Sequence, residues 1–362
     1  MIIGIPKEII KEEYRVGITP AGAAELKKHK HTVFVETGAG TGSGYSDDEY
    51  LEADADIIDR ATLFGKADLI VKVKEPLPQE YDLLRKRQSL FTYLHLAPNR
   101  ELTDILLKKR ISAFGYETLE KDGSLPLLAP MSEIAGRMAP LAGAWYLQKI
   151  HGGMGILPSG VPGVRPGKAL ILGAGVVGTN AARVAFGIGM DVIVLNRGSE
   201  KLQKIDELYR GSVKTLPLTE STITREIVDA DMVIGAVLVP GGKTPLLIAR
   251  DMIRAMKKGS VIIDVSIDQG GCAVTSRPTT HDNPVYAVDG IIHYTVANMP
   301  GAFPRTATMA LTNATFPYIT MLANMGIKKA VTDTTLRTAL NTHEGEILHP
   351  ALAAVMSKNN KG

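Results

Sequence analysis

Two periodicities share the chain. Short continuous apolar runs, rich in Ile, Val and Leu, are separated by stretches in which apolar residues return every three or four positions. The first pattern fits strands buried on both faces and the second fits amphipathic helices. The early chain therefore predicts strands over 2–5, 32–36, 67–73, 89–94 and 112–116, with helices over 20–28 and 101–109. Thr19 is the expected cap of the first helix and Pro20 its first residue, where the missing N–H is no loss. Segment 125–130 reads as extended, Ser132 as the cap of a helix over 133–149, and the Gly/Pro-rich stretch 152–167 as a loop. A second β/α series follows, with strands over 169–172, 191–195, 232–236 and 261–265, and the chain turns helical from 306 to its end. Alternating elements of this kind build open, mostly parallel sheets, so the fold class is α/β.

With 362 residues the chain has room for two domains, at roughly 150 residues each. The final stretch of about 60 residues is too short for a domain of its own. It is expected to return to the first domain, giving one domain from 1–128 plus 304–362 and a second, 129–303, inserted into it.

Charge excludes some functions. The net charge of +3, from 41 basic and 38 acidic residues, is too balanced for a nucleic-acid or membrane-surface binder, yet suits a carboxylate substrate. Cys272 stands alone, so no internal disulfide framework exists and a reducing compartment fits. The first residues are too short an apolar run for a signal peptide, and no run of about 18 apolar residues offers a membrane span. A cytoplasmic protein is expected.

The most specific motif is Gly173-Ala174-Gly175-Val176-Val177-Gly178. It follows the strand over 169–172, opens a helical pattern and precedes a second strand, the full context of a dinucleotide-binding fingerprint. Gly173 permits the tight turn, Gly175 lets backbone approach a pyrophosphate, and Gly178 lets helix and strand pack. The helix N-terminus offers free N–H groups and a positive dipole end. The fold class thus becomes two doubly wound, Rossmann-like domains, one of them nucleotide-binding. At the end of the second strand, NAD sites usually place an acidic residue that accepts from the ribose 2′-hydroxyl. This chain has Asn196 and then Arg197. Asn196 still accepts a hydroxyl without repelling a 2′-phosphate, and Arg197 offers such a phosphate a charge. NAD is the expected cofactor, with NADP open.

Several blocks carry a family resemblance: Arg15-Val16-Gly17-Ile18-Thr19-Pro20, Val71-Lys72-Val73-Lys74-Glu75-Pro76, Leu94-His95-Leu96, Leu128-Ala129-Pro130-Met131-Ser132-Glu133, Gly235–Gly241, Asp264–Gly271 and Val296-Ala297-Asn298-Met299-Pro300. Together they resemble the alanine dehydrogenase family, nearly end to end. The transhydrogenase α subunits share some of them, notably the block around Arg15. The resemblance implies reversible NAD-dependent oxidative deamination of L-alanine to pyruvate and ammonia, and a homo-oligomer, typically a hexamer. It implies substrate-binding roles for Arg15 and Lys74 and catalytic roles for His95 and Asp268. Beside Gly173, Gly175, Val176, Gly178, Asn196 and Arg197, it implies dinucleotide contacts from Ser132, Lys201, Val237, Leu238, Val265, Ser266, Ile267, Asp268, Arg277, Val296, Ala297, Asn298 and Met299. Some members hold a metal with a Glu/His pair on the helix after Pro317; Met321 and Met325 stand at that spacing here, so no such site is expected.

The chemistry asks for these residue types. Hydride leaves the α-carbon, water adds to the resulting imine, and ammonia departs. Arg15 has the planar fork that grips a carboxylate, although without the resemblance it reads rather as a surface arginine after Lys11-Glu12-Glu13. Lys74 and His95 follow apolar strands, and ligands of open α/β sheets bind at strand carboxyl ends. An ammonium polarises a carbonyl, and an imidazole titrates near neutrality. Alone, Lys74 reads equally as an edge lysine flanking its strand, the reading that also fits Lys72. Asp268 precedes Gln269-Gly270-Gly271 and fits either a proton acceptor or a turn carboxylate. Cys272 lacks a neighbouring activating motif and reads as structural. Two other functions stay open: a non-catalytic dinucleotide module resembling a transhydrogenase subunit, and a dehydrogenase for glycine or another small amino acid.

Overall fold

The computed structural model describes residues 1–237 and 244–359. The chain divides into two compact units, Met1–Met131 with Gly301–Gly362, and Ser132–Pro300. The strands are β1 (Ile2–Ile5), β2 (Thr32–Glu36), β3 (Asp56–Ile58), β4 (Leu69–Val71), β5 (Ser89–Thr92), β6 (Ser112–Gly115), β7 (Lys168–Leu172), β8 (Asp191–Asn196), β9 (Lys214–Pro217), β10 (Met232–Gly235), β11 (Val261–Asp264), β12 (Val285–Val288), β13 (Ile291–Tyr294), β14 (Leu340–His343) and β15 (Glu346–Ile347).

In the first unit they run in the order β15-β14-β6-β5-β4-β1-β2-β3. Strands β1 to β6 are parallel, and β14 joins antiparallel on β6. The second unit has the order β12-β13-β11-β10-β7-β8-β9, parallel except for the β12–β13 pair. Along β7 alternate residues enter different cores: Ala169 and Ile171 join one cluster, Leu170 and Leu172 the other. That sheet is covered on both faces, which is why its strands read as continuous apolar runs. In each sheet the first strand stands where the chain order reverses, β1 between β2 and β4, and β7 between β8 and β10. A crevice opens at such a switch point outside the carboxyl ends of the strands.

Local chemistry explains most element ends. Thr19 accepts from Gly22 N–H and caps the helix Pro20–Lys28, as expected. Three expectations fail. The stretch at 125–130 is not extended; it turns into a helix, Ala129–Tyr146, that starts before Ser132, so Ser132 lies in its first turn and caps nothing. Pro130 fits there because first-turn N–H groups have no intrahelical partner. The tail is not helical throughout: after the helix Pro304–Met325 it forms the β14–β15 hairpin, turned at Glu344 (φ 46°) and Gly345 (φ 91°). Two consecutive positive-φ residues are what a two-residue hairpin loop requires. The strand expected over 67–73 is shorter, β4 closing at Val71, although Lys72 N still donates to Phe91 O at 3.2 Å.

Candidate active site

In the first unit, the carboxyl ends of β1, β4, β5 and β6 gather the charged residues. Beyond β4 the chain runs on beside β5, with Tyr93 N donating to Val73 O (3.2 Å) and Thr92 Oγ1 to Lys74 O (2.9 Å). This fixes Lys74 and His95 on adjacent strand ends. Glu8, from the segment after β1, accepts from Val73 N (2.6 Å) and Lys74 N (3.2 Å) through Oε1. Its Oε2 pairs with Lys72 Nζ at 3.2 Å, and Lys72 Nζ also donates to Glu80 Oε1 at 2.8 Å. Lys72 is therefore not an edge lysine but a buried ion between two buried carboxylates. Burial pushes the Glu8 carboxyl above the usual range, against the pull of Lys72. Lys74 is half-buried, and its ammonium forms no ion pair among the described residues.

Arg15 is not a surface arginine. Only 2% of it is exposed, and its Nε and Nη2 grip Glu13 at 2.6 and 2.5 Å. Nη1 donates to Met131 Sδ at 3.0 Å. Glu13 thus holds the Nε/Nη2 edge of the fork, and Nη1 faces Met131.

His95 is held from two directions. Its Nδ1 lies 2.9 Å from Glu75 Oε2, while Glu117, in the turn after β6, accepts from Leu94 N (3.0 Å) and His95 N (2.8 Å). His95 has φ 45°, a left-handed conformation that costs a non-glycine residue roughly 1–2 kcal/mol. Tyr93 stacks on the ring, centroids 6.1 Å apart. The side chain stays 44% exposed, with Nε2 as the nitrogen left for chemistry. Desolvation pulls the imidazole down, but the Glu75 hydrogen bond and the field of Glu117 outweigh it and the repulsion of Lys74, so the pKa is raised. Glu75 responds in kind: burial pushes it up, the His95 pair outweighs that, and the carboxyl rests below its usual range.

In the second unit the glycine turn meets the steric demands of a phosphate cradle. Gly173 has φ 110°, and a Cβ there would lie 2.5 Å from Ala236 O; one on Gly178 would overlap Gly173 O. Gly175 differs, since a Cβ there would meet no atom within 4 Å. It caps the helix Val176–Gly187 without a side chain, so that helix presents bare N–H groups to open space. A pyrophosphate fits these groups. Asn196 ends β8 as a clip: Oδ1 accepts from Ala174 N (3.1 Å) and Nδ2 donates to Gly198 O (2.9 Å). One lone pair of Oδ1 is left for a ribose hydroxyl. Arg197 and Lys201 are exposed, with no ion pair among the described residues.

The rest of the expected nucleotide set is distributed along the same sheet edge. Ser266 Oγ donates to Val237 O at 2.7 Å, which ties the ends of β10 and β11. Leu238 lies outside the described residues. Val265, Ser266, Ile267 and the exposed Asp268 form a short 3-10 turn after β11. Asp264, fully buried, closes that turn by accepting from Ser266 N, Cys272 N and Ser276 Oγ. The Arg277 guanidinium stacks on Tyr286 at 4.3 Å. Val296 and Met299 are buried, Ala297 N donates to Thr279 O (3.2 Å), and Asn298 has φ 60°. Cys272 is buried, and burial beside Asp264 pushes its thiol up, which suits a structural role. Sequence reading missed Glu8, Glu13, Glu75, Glu117 and Asp264. Glu75 adjoins Lys74, Asp264 opens the block Asp264–Gly271 and Glu13 precedes Arg15, whereas Glu8 and Glu117 gave no local signal.

Two family profiles cover the chain: the N-terminal domain of alanine dehydrogenase/PNT matches residues 4–135, and its C-terminal domain residues 139–350. The chain belongs to the alanine dehydrogenase/pyridine nucleotide transhydrogenase family. Within it, the chain is 50% identical to alanine dehydrogenase of Bacillus subtilis, over 98% of this chain and 94% of that one. It is 48% identical to alanine dehydrogenase 2 of Staphylococcus aureus, over 100% and 98% of the two chains. A solved L-alanine dehydrogenase superposes with a TM-score of 0.96 at 47% identity, covering 99% of each chain. A transhydrogenase from Sinorhizobium meliloti shares the fold, with a TM-score of 0.84 at 24% identity over 97% and 100%. This family uses a pyridine nucleotide, in keeping with the glycine turn.

Proposed function

We propose that the protein catalyses the reversible NAD-dependent oxidative deamination of L-alanine to pyruvate and ammonia. What carries the reading is the convergence of Arg15, Lys74 and His95 at one sheet edge, in a chain about half identical to alanine dehydrogenases. The first unit is the substrate domain and the second the dinucleotide domain.

Arg15 and the Lys74 ammonium bind the substrate carboxylate, and Lys74 stabilises the negative charge that develops on the α-oxygen as water adds to the imine. His95 Nε2 moves the protons. In the oxidative direction it accepts one from the amine or the attacking water, and Nδ1, bonded to Glu75, spreads the positive charge gained. Asp268 is the second acid/base residue, carried by the turn after β11. The dinucleotide, when bound, takes up the hydride. The Gly173–Gly178 turn holds its pyrophosphate, with Ser132, Val176, Lys201, Val237, Leu238, Val265, Ser266, Ile267, Arg277, Val296, Ala297, Asn298 and Met299 along its length. NAD is preferred, and Asn196-Arg197 admit more NADP than an acidic residue would.

A homo-oligomer, a hexamer by resemblance, agrees with the large apolar side chains exposed along one stretch, among them Trp145 (53%) and Ile150 (81%). No helix among the described residues is long and apolar enough to cross a membrane. The cytoplasm suits the lone buried thiol.

The test is His95→Ala. Loss of the shuttle lowers turnover by about 10²–10⁴-fold while NADH binding persists; near-normal turnover would remove His95 from the reaction. Parallel assays with glycine and other small amino acids decide the substrate.

A further inference from the structure

Of Arg15, Lys74 and His95, only His95 has a left-handed backbone, and β5 alone does not explain it. The strand ends at Thr92, Tyr93 is still bonded to Val73, and the chain then reverses at His95 with φ 45°. That reversal aims two successive N–H groups, of Leu94 and His95, in one direction, a concavity that receives anions. Glu117 fills it. The carboxylate arrives from the turn after β6, which pairs in parallel register with β5 (Thr92 with Gly115), and its Oε1 accepts from both N–H groups at 3.0 and 2.8 Å. Oε2 adds a longer bond to Leu94 N at 3.2 Å.

We propose that Glu117 is a positioning residue for His95: it holds the left-handed turn that presents the imidazole, while Glu75 fixes the ring's rotation through Nδ1. The inference rests on His95 being the acid/base residue and adds a residue that acts through it. Glu117 also places a negative charge beside the ring, and the other charged or titratable groups around the pair are Glu75 and Lys74 after β4, Tyr93 just after β5, and His349 near Glu117 from the tail. Against that set, Glu117 and Glu75 favour the imidazolium and Lys74 opposes it.

A purely structural carboxylate would alter stability and leave the proton equilibrium of His95 alone. Two variants and one reagent separate these roles. Glu117→Gln keeps the side-chain length but removes the charge and one acceptor. The expected result is about a ten-fold fall in kcat, a fraction of the loss from removing the shuttle outright. The acid limb of kcat/KM for alanine oxidation moves down by about one pH unit, because one favourable charge has left the imidazolium. NADH binding stays unchanged. Diethyl pyrocarbonate labelling of His95, mapped by peptide mass spectrometry across pH in the apo protein, reads the same midpoint without turnover. It falls with Glu117→Gln. Glu117→Asp retains the charge but is one methylene short; it lowers kcat with the labelling midpoint in place, and it decides the matter if Glu117→Gln does not fold. An unmoved midpoint in folded Glu117→Gln, or wild-type kcat in Glu117→Asp, overturns the proposal. Near-normal turnover of His95→Ala would instead sink the acid/base reading, while the labelling comparison would still report on Glu117.

Discussion

Gly175 and Gly178 stand three residues apart in one turn, yet their substitution should fail in different ways. Gly175 has φ −76° and ψ −167°, open to alanine, and an added Cβ meets nothing within 4 Å. Alanine at such a compatible site gains about 0.4–1 kcal/mol by restricting the unfolded chain. It gives back about 0.5–1 kcal/mol as a poorer N-cap. The folded protein should hardly register the change, with Tm within about 2 °C of wild type. The new methyl instead stands where a pyrophosphate must approach. Forcing the phosphates off two helix-terminal N–H groups forfeits two charge-assisted hydrogen bonds at about 1.5 kcal/mol each. The sum of about 3 kcal/mol weakens NADH roughly 10²-fold. Gly178→Ala pushes its Cβ into Gly173 O and within 3.4 Å of Ala236 Cβ, so backbone must move. Overpacking of that kind costs about 1–3 kcal/mol, seen as a Tm lower by several degrees. Fluorescence titration with NADH and a thermal melt of both variants check this. The reasoning is refuted if Gly175→Ala binds NADH within about three-fold of wild type, or loses as much stability as Gly178→Ala.

Lys74→Ala should raise the KM for pyruvate with little change in Tm, because its ammonium forms no ion pair among the described residues. Arg15→Ala also breaks the buried ion pair with Glu13, so it should raise the alanine KM and destabilise the fold by about 3–5 kcal/mol; equal Tm values for the two variants would contradict the buried pair. For Glu75→Gln, the sign follows from the two shifts. The His95 contribution is present below that group's ordinary value and lost as pH rises through the raised one, while the Glu75 contribution is lost as pH falls through its lowered one. Wild type should therefore exceed Glu75→Gln in stability in the weakly acidic range and converge on it at alkaline pH, as chemical denaturation at several pH values will read. Asn196→Asp should suppress NADP activity and spare NAD activity, although the carboxylate would face Gly198 O where the amide now donates; an unchanged ratio of NADP to NAD efficiency removes Asn196 from cofactor choice.

The dinucleotide turn was legible because its chemistry is local: strand, three glycines and helix must be contiguous. The strand-end positions of Lys74 and His95 were legible for a similar reason, since a polar residue closing an apolar run marks a sheet's carboxyl edge. Their partners were not. Glu117 is 22 residues from His95 and Glu8 is 65 from Val73, and only the strand order brings them together. In sequence such carboxylates look like solvated turn residues, just as Lys72 looked like an edge lysine before β1 and the turn after β4 buried it. The β14–β15 hairpin stayed hidden because Leu340-Asn341-Thr342-His343 carries no β-branched run, its pattern being set by β6.

The pairing of β14 with β6 also dictates an order of manufacture. A ribosome releases β1 to β6 first, but their sheet has an open edge until the residues of β14 have emerged, after every strand of the inserted unit. The insert, with all its strands already free, can close its own sheet while the unit begun earlier still waits. The half of the protein that starts first is thus the half that finishes last, and a nascent chain stalled before Leu340 carries every strand of the nucleotide fold but leaves the β6 edge of the substrate fold open to pairing.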